Sequence, residues 1–270
     1  MDRTKASGIF YSISKRTKAT LLSTVFFGIV SAVSPQISAA TVIRVGSTPS
    51  SAPTGFLDTK TGNYVGLMPD LAREVAKRSH LDVKYEAIPN GALTQSLISG
   101  KIDLIAAGLS PTPVRAKVMD FSQNVTSITD GIIIRDSDKG SYKSAGDFAN
   151  KKVGCLSGTD YVDMIKALKT PPLDLKLYDT TADMVRDVEL GRIDVAVDDY
   201  PKLKYQETTG GFKGMHVVDS YSPMAAGDVI AFAVQKGNAT LLNQVNTALD
   251  SMRSDGTLEA LLKKWHWRGN

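Results

Sequence analysis

Hydrophobic positions alternate along the chain between short runs and helical spacings, and the alternation occurs twice. Val42-Ile43-Arg44-Val45 reads as a strand, and Leu67, Leu71, Val75 and Ala76 mark one face of a helix ending near His80. Val83 to Ile88 is a second strand, Leu93 to Ser99 a second helix and Leu104 to Ala107 a third strand. The same order returns as Lys152 to Leu156, Tyr161 to Leu168, Leu173 to Tyr178, Ala182 to Leu190 and Ile193 to Val197. Pro171-Pro172 breaks the chain ahead of the middle strand of that set. Leu104-Ile105-Ala106-Ala107 and Val195-Ala196-Val197 are continuous apolar runs, the pattern of strands covered on both faces. Strands and helices in this alternation predict an α/β fold with mainly parallel sheets flanked by helices.

A motif repeats within that frame. Gly100-Lys101-Ile102-Asp103 recurs 91 residues later as Gly191-Arg192-Ile193-Asp194, each copy after helical spacings (Leu93 and Leu97, Met184 and Val188) and before an apolar run. Each Gly is suited to end a helix. Two similar lobes are expected. Asp103 and Asp194 stand at strand entries, where they fix the helix-to-strand turn, so they are kept out of the candidate site. Asn124 to Arg135, β-branched at Ile132-Ile133-Ile134, and Val229 to Val234 predict two strands crossing between the lobes. Leu241, Leu242, Val245 and Leu249 mark one further helix, and Leu258, Leu261, Leu262 and Trp265 another, both expected to pack on the first lobe. The expected organisation is a leader over 1–40, a discontinuous first lobe over 41–129 and 228–270, and a second lobe over 130–227. A two-strand hinge would join the lobes.

The leader changes the charge argument. Arg3, Lys5, Lys15, Arg16 and Lys18 precede an apolar stretch from Ala19 to Val33, and Ser38-Ala39-Ala40 supplies small residues for cleavage. This reads as a cleavable secretory signal peptide, with the mature chain starting near Thr41. The stretch is short for a membrane span. Its five basic residues and one acid, Asp2, account for the whole formal charge of +4, leaving 27 basic and 27 acidic residues in the mature chain. With no basic cluster interleaved with aromatics, nucleic-acid binding is disfavoured. The single cysteine, Cys155, lies in Val153-Gly154-Cys155-Leu156 and reads as a buried strand thiol. His80, His216 and His266 are scattered without ligand spacing, and no Gly-x-Ser-x-Gly elbow occurs, so neither a metal, a cofactor nor a nucleophile enzyme is expected.

Open α/β sheets bind ligands at the carboxyl ends of their strands. There the chain carries Ser110, Thr112 and Arg115 after the first echoed strand, and Asp198 and Asp199 after the second. Arg115 can hold a carboxylate through paired hydrogen bonds, and Asp199 can accept from an ammonium. Gly158-Thr159, before a helix beginning near Asp160, offers free backbone NH groups to an anion. The set fits a zwitterion. Tyr161, Tyr200, Trp265 and Trp267 lie on or beside helices and read as core packing.

Several segments together carry a family resemblance: Gly66 with Asp70-Leu71-Ala72, the two Gly-basic-Ile-Asp motifs, Gly108-Leu109-Ser110-Pro111-Thr112-Pro113-Val114-Arg115, Asp120-Phe121-Ser122, and Asp255-Gly256-Thr257-Leu258 through Trp265. In this order they resemble the periplasmic solute-binding proteins of polar amino-acid ABC transporters (bacterial extracellular solute-binding protein family 3), over essentially the whole mature chain. The resemblance implies a two-lobed, hinged, periplasmic, non-enzymatic protein that closes on one amino acid and presents it to an ABC permease in the inner membrane. It implies Arg115 as the α-carboxylate clamp, Ser110 and Thr159 as supporting donors, Asp199 as the α-ammonium acceptor, and the Gly108 carbonyl as a second acceptor.

Departures from the family pattern bear on the ligand's side chain. Ser51 and Thr54 stand where stacking aromatics are common, and Asn90 where an aromatic or leucine is common, which favours a small or polar side chain. Phe56 either substitutes in part for the missing aromatics or belongs to the core. Asp160, where Thr is usual, adds negative charge beside the expected carboxylate. A monomer is expected. Relatives also include periplasmic cyclohexadienyl or arogenate dehydratases, and the fold serves in sensory receptors. Arg115 with Asp199 favours amino-acid binding over dehydration. A chain ending at Asn270, without a span or kinase segment, would serve a receptor only by delivering ligand to a separate one.

Overall fold

The first sheet grows around β1 (Thr41–Ser47), in which Ile43 and Val45 are buried and Val42 is exposed. In this computed structural model the described residues are 41–169, 173–224 and 227–267; the expected leader and the Pro171-Pro172 break lie outside them. Three short strands, β2 (Ser50–Ser51), β3 (Gly55–Leu57) and β4 (Tyr64–Val65), make a small antiparallel sheet of their own. Its loop caps the following helix α1 (Leu67–Arg78), because the Leu67 and Met68 amides donate to the carbonyls of Pro53 and Thr54. Then come β5 (Leu81–Ala87), α2 (Leu93–Ile98), β6 (Leu104–Leu109), β7 (Met119–Phe121) and β8 (Thr126–Ile128).

The second set runs β9 (Asp130–Arg135), β10 (Lys152–Leu156), α3 (Tyr161–Lys166), β11 (Asp174–Tyr178), α4 (Thr181–Glu189), β12 (Val195–Asp199), α5 (Tyr200–Thr208) and β13 (Met215–Val217). The chain then returns to the first sheet as β14 (Asp228–Gln235), followed by α6 (Ala239–Ser254) and α7 (Thr257–Lys264). Strand order is β5-β1-β6-β14-β7 in the first sheet, with β8 also on β14, and β11-β10-β12-β9-β13 in the second. In each sheet three parallel strands are joined by one antiparallel strand, β14 or β9, on which β7 and β8 or β13 pair antiparallel in turn. The two-lobed α/β architecture expected from the alternation is present.

Successive residues of the central strands face opposite layers. Leu104 and Ala106 join α1, α6 and α7 in one core, whereas Ile105 joins α2 in another. Val195 and Val197 pack with α3, and Ala196 with α4 and α5. That two-sided burial explains why these strands read as unbroken apolar runs. The sheets are joined at Thr129, between β8 and β9, and by the segment between β13 and β14. Asn124 to Arg135 does pass from the first sheet to the second, as β8, Thr129 and β9, whereas Val229 to Val234, expected as the other crossing strand, lies within β14 of the first sheet alone. Elements without a readable period (β2, β3, β4, β7, β13 and α5) have no counterpart in the sequence pattern. In α5 the buried residues Pro201, Lys202 and Leu203 are consecutive, so no stripe at helical spacing marks it.

The echoed motif does the same work twice. Gly100 and Gly191 leave their helices at φ 73° and 68°, in the left-handed region that favours glycine. Asp103 accepts from the Arg44 amide at 2.8 Å, and Asp194 from the Lys152 amide at 2.9 Å, each on the neighbouring parallel strand. The reverse bonds, Asp103 amide to Arg44 carbonyl and Asp194 amide to Lys152 carbonyl, complete each pair. Arginines brace both carboxylates, Arg44 on Asp103 and Arg135 on Asp194. The motif's isoleucines also correspond. A Cβ on Gly46 would lie 2.4 Å from Ile102 Cδ1, and one on Gly154 would lie 2.5 Å from Ile193 Cδ1. We therefore expect Gly154→Val to lower stability by about 1–3 kcal/mol through overpacking, read from the urea midpoint, with Ile193→Ala in the same chain recovering part of the loss. Unchanged stability of the single variant would contradict this packing.

Candidate ligand-binding site

The carboxyl ends of the parallel strands from the two sheets face one another. Ser51 follows β1, Asn90 follows β5, and Gly108, Ser110 and Arg115 lie at the end of β6 or beyond it. From the second sheet, Leu156, Thr159, Asp160 and Tyr161 follow through β10 into α3, and Asp199 ends β12. All of these line one cavity, together with Ala107, Leu109 and Lys202. Eight of the ten residues expected at the site are thereby brought together. The cavity holds only about 30 Å³, room for about one or two waters.

Two bonds cross between the sheets over this cavity. Asn90 Nδ2 donates to the Ser157 carbonyl at 2.9 Å, and Arg115 Nη2 donates to the Gly158 carbonyl at 2.8 Å. Backbones meet there as well, since a Cβ on Gly158 (φ 77°) would lie 2.7 Å from Gly91 Cα. Arg115 Nη1 also donates to the Ser110 carbonyl at 2.7 Å, and the Thr112 hydroxyl oxygen accepts from the Arg115 amide. Burial pushes the guanidinium's pKa down from its ordinary value, while Asp160, Asp163 and Asp228 oppose that shift. The cation is thus held by carbonyl dipoles and partly desolvated, a state that strengthens its attraction for an anion.

Thr54 and Phe56 are not among the lining residues. Thr54 is buried beneath the site, where its methyl lies 2.7 Å from the place a Cβ on Gly108 would take; Gly108 itself has φ 69°. Only glycine fits there. Phe56 stacks edge-on against Trp265, ring centroids 5.9 Å apart, and does not replace a ligand-facing aromatic. Thr159 lines the cavity, but its hydroxyl donates to the Leu156 carbonyl at 2.8 Å and so serves the turn rather than a carboxylate. At Ser110 the group engaged with Arg115 is the carbonyl. The Gly158-Thr159 turn leads into a helix of only six residues, and the Gly158 carbonyl faces Arg115.

The family-model comparison matches residues 43–268 to bacterial extracellular solute-binding proteins, family 3. The chain belongs to this family. It is 31% identical over 253 residues to the amino-acid-binding protein AabA of Dichelobacter nodosus, covering 91% of this chain and 97% of that protein. It is 29% identical over 205 residues to the L-cystine-binding protein TcyJ of Escherichia coli (strain K12), covering 76% and 75%. Among solved structures, an ancestral arginine-binding protein bound to glutamine superposes with TM-score 0.75 at 30% identity, covering 84% of this chain and 98% of that one.

Within this family 3 chain, the residues around Asp199 form a network that the motifs did not reveal. Tyr161, read from the sequence as core packing, donates its hydroxyl to Asp199 Oδ1 at 2.7 Å. Lys202 is 4% exposed; its Nζ lies 2.6 Å from Asp198 Oδ1 and 3.5 Å from Asp199 Oδ2. Burial alone would depress the ammonium's pKa, but the two carboxylates outweigh it and hold the pKa above the ordinary lysine value. Asp198 is 1% exposed, and it also accepts from the Asp199 amide at 2.9 Å and the Thr181 hydroxyl at 3.3 Å. The Asp198-to-Lys202 spacing of four, running from a strand end through Pro201 into a helix, was the available signal for this pair. Lys202→Met leaves Asp198 buried without its cation and is expected to cost about 3–5 kcal/mol, whereas Asp198→Asn with Lys202→Met recovers most of it. Denaturant unfolding of the two variants measures the difference.

Proposed function

We propose that this chain reversibly binds one amino acid with a small or polar side chain in the periplasm and delivers it to an ABC permease of the inner membrane. One observation carries the reading: Arg115 from the first sheet and Asp199 from the second face the same cavity. A carboxylate at Arg115 and an ammonium at Asp199 and the Gly108 carbonyl satisfy both ends of a zwitterion, and the reaction class is binding without covalent chemistry. Charge-assisted hydrogen bonds contribute about 1.5–3 kcal/mol each, so four or five support roughly micromolar affinity after ordering costs. Membership of family 3 supports the transport role.

The preference for a small or polar side chain rests on the cavity wall. Ser51 and Asn90 line it, and Phe56 is turned to Trp265, so no aromatic pair stands ready to sandwich a long cation. Tyr161 is engaged with Asp199. The two lobes, 41–129 with 228–270 and 130–227, would rotate about Thr129 and the β13–β14 segment. Opening breaks the Asn90 and Arg115 bridges, and closure over the ligand restores water exclusion.

Calorimetry of the mature protein against the twenty common L-amino acids tests the reading. A small or polar member is expected to bind, and Arg115→Met is expected to weaken it about 10- to 100-fold, the value of one or two charge-assisted bonds. No binding by any of the twenty, or unchanged affinity in the variant, would overturn the zwitterion assignment. Prephenate incubated with the protein is expected to be recovered unchanged; turnover would identify a dehydratase instead.

A further inference from the structure

Asp160 stands out among the cavity residues because its Oδ2 is buried and has no hydrogen-bond partner. A desolvated carboxylate oxygen without a donor is costly when charged and much less so when protonated. The groups facing it from neighbouring elements are mostly of its own sign. Burial pushes its pKa up; Arg115, beyond β6, opposes this, and Asp199 at the end of β12 and Asp228 at the start of β14 add to it. The remaining charges nearby are committed elsewhere. Lys202 on α5 is paired with Asp198 and Asp199, and Tyr161 on Asp160's own helix donates to Asp199. Asp163 on that helix acts on Arg115.

A ligand carboxylate drawn to Arg115 enters a closed cavity that Asp160 also lines. Two carboxylates in one desolvated site repel each other, which favours a proton shared between them even beside the Arg115 cation. We propose that Asp160 binds the ligand as a carboxylic acid: its unpartnered oxygen takes a proton from solvent on binding and donates that hydrogen bond to the ligand's carboxylate, with Arg115 donating alongside. The inference rests on the zwitterion reading above. Asp160 is thereby a residue that selects ligands with an acceptor at this end of the cavity, and affinity is linked to pH. Below the pH at which free Asp160 is protonated, affinity is constant. Above it, affinity falls by up to about tenfold per pH unit until the pKa of the bound state is passed.

The test is titration calorimetry of the mature protein with L-serine, L-asparagine and L-glutamine, whose own groups do not titrate between about pH 5.5 and 7. Each titration is run at matched pH in MES and in Bis-Tris, which both buffer from about pH 5.5 to 7 and whose different ionisation heats count the protons exchanged. The expected result is uptake of up to one proton per ligand, with the matching fall in affinity, and loss of both in Asp160→Asn. Equal heats in the two buffers across that range would overturn the proposal, as would uptake that persists in Asp160→Asn. Weaker binding of Asp160→Asn at every pH would assign Asp160 as acceptor of a ligand donor and overturn it too. Arg115→Met separates the two readings. If that variant loses binding while the unaltered protein shows no uptake, only the Asp160 proposal fails; if it binds normally, or none of the twenty common amino acids binds, the zwitterion reading fails and takes this proposal with it.

Discussion

Parallel pairing commits every strand of a set to end on the same side, and in this chain one carboxylate in each lobe holds that pairing in register at the opposite end. Asp103 and Asp194 each exchange hydrogen bonds with a residue of the neighbouring strand, Arg44 and Lys152, and carry a bracing arginine. The isoleucine before each aspartate fills the space over a glycine of that same strand. A slip of one residue would turn every buried side chain of β1, β6, β10 and β12 to the wrong layer. It would also move Gly108 and Asp199 off the cavity, so the acids that touch no ligand determine where the ligand-facing groups stand.

At the other end the constraint is electrostatic. Arg115, Asp160, Asp198, Asp199 and Lys202 are crowded where little water reaches, and each charge needs compensation. Lys202 compensates the two adjacent aspartates, carbonyl groups from both sheets hold Arg115, and Tyr161 orients Asp199. Because the Gly158 carbonyl belongs to the opposite sheet, the residue assigned to the ligand's carboxylate is also a contact across the cleft. Binding and closure thereby act on the same side chain.

Much of this was legible in the linear pattern. Strands β1, β6, β10 and β12 and the helices between them follow from period and run length, and Arg115, Asp199, Ser110, Gly108 and Asn90 follow from their place after those strands. The misplaced residues share a cause. Residue type and loop position point Phe56 and Thr54 to the site, yet loop side chains are directed by contacts distant in sequence: Trp265 for Phe56 and Gly108 for Thr54. Tyr161 reads as core packing because an aromatic at a helix start is ordinary there, and Lys202 is not marked out because α5 has no stripe at helical spacing. Their role comes from facing Asp199.

Sequence by itself determined the two-lobed α/β frame, the duplicated turn and the identity of the charges at the strand ends, because these depend on local period and on residue type. The tertiary structure decided how those charges are shared. Asp199 meets Lys202 and Tyr161, Arg115 reaches Gly158, and Asp160 is left with an oxygen unpartnered, through packing between elements up to scores of residues apart. Distances of a few ångströms between such elements set both desolvation and pairing, and no local pattern in the chain encodes them.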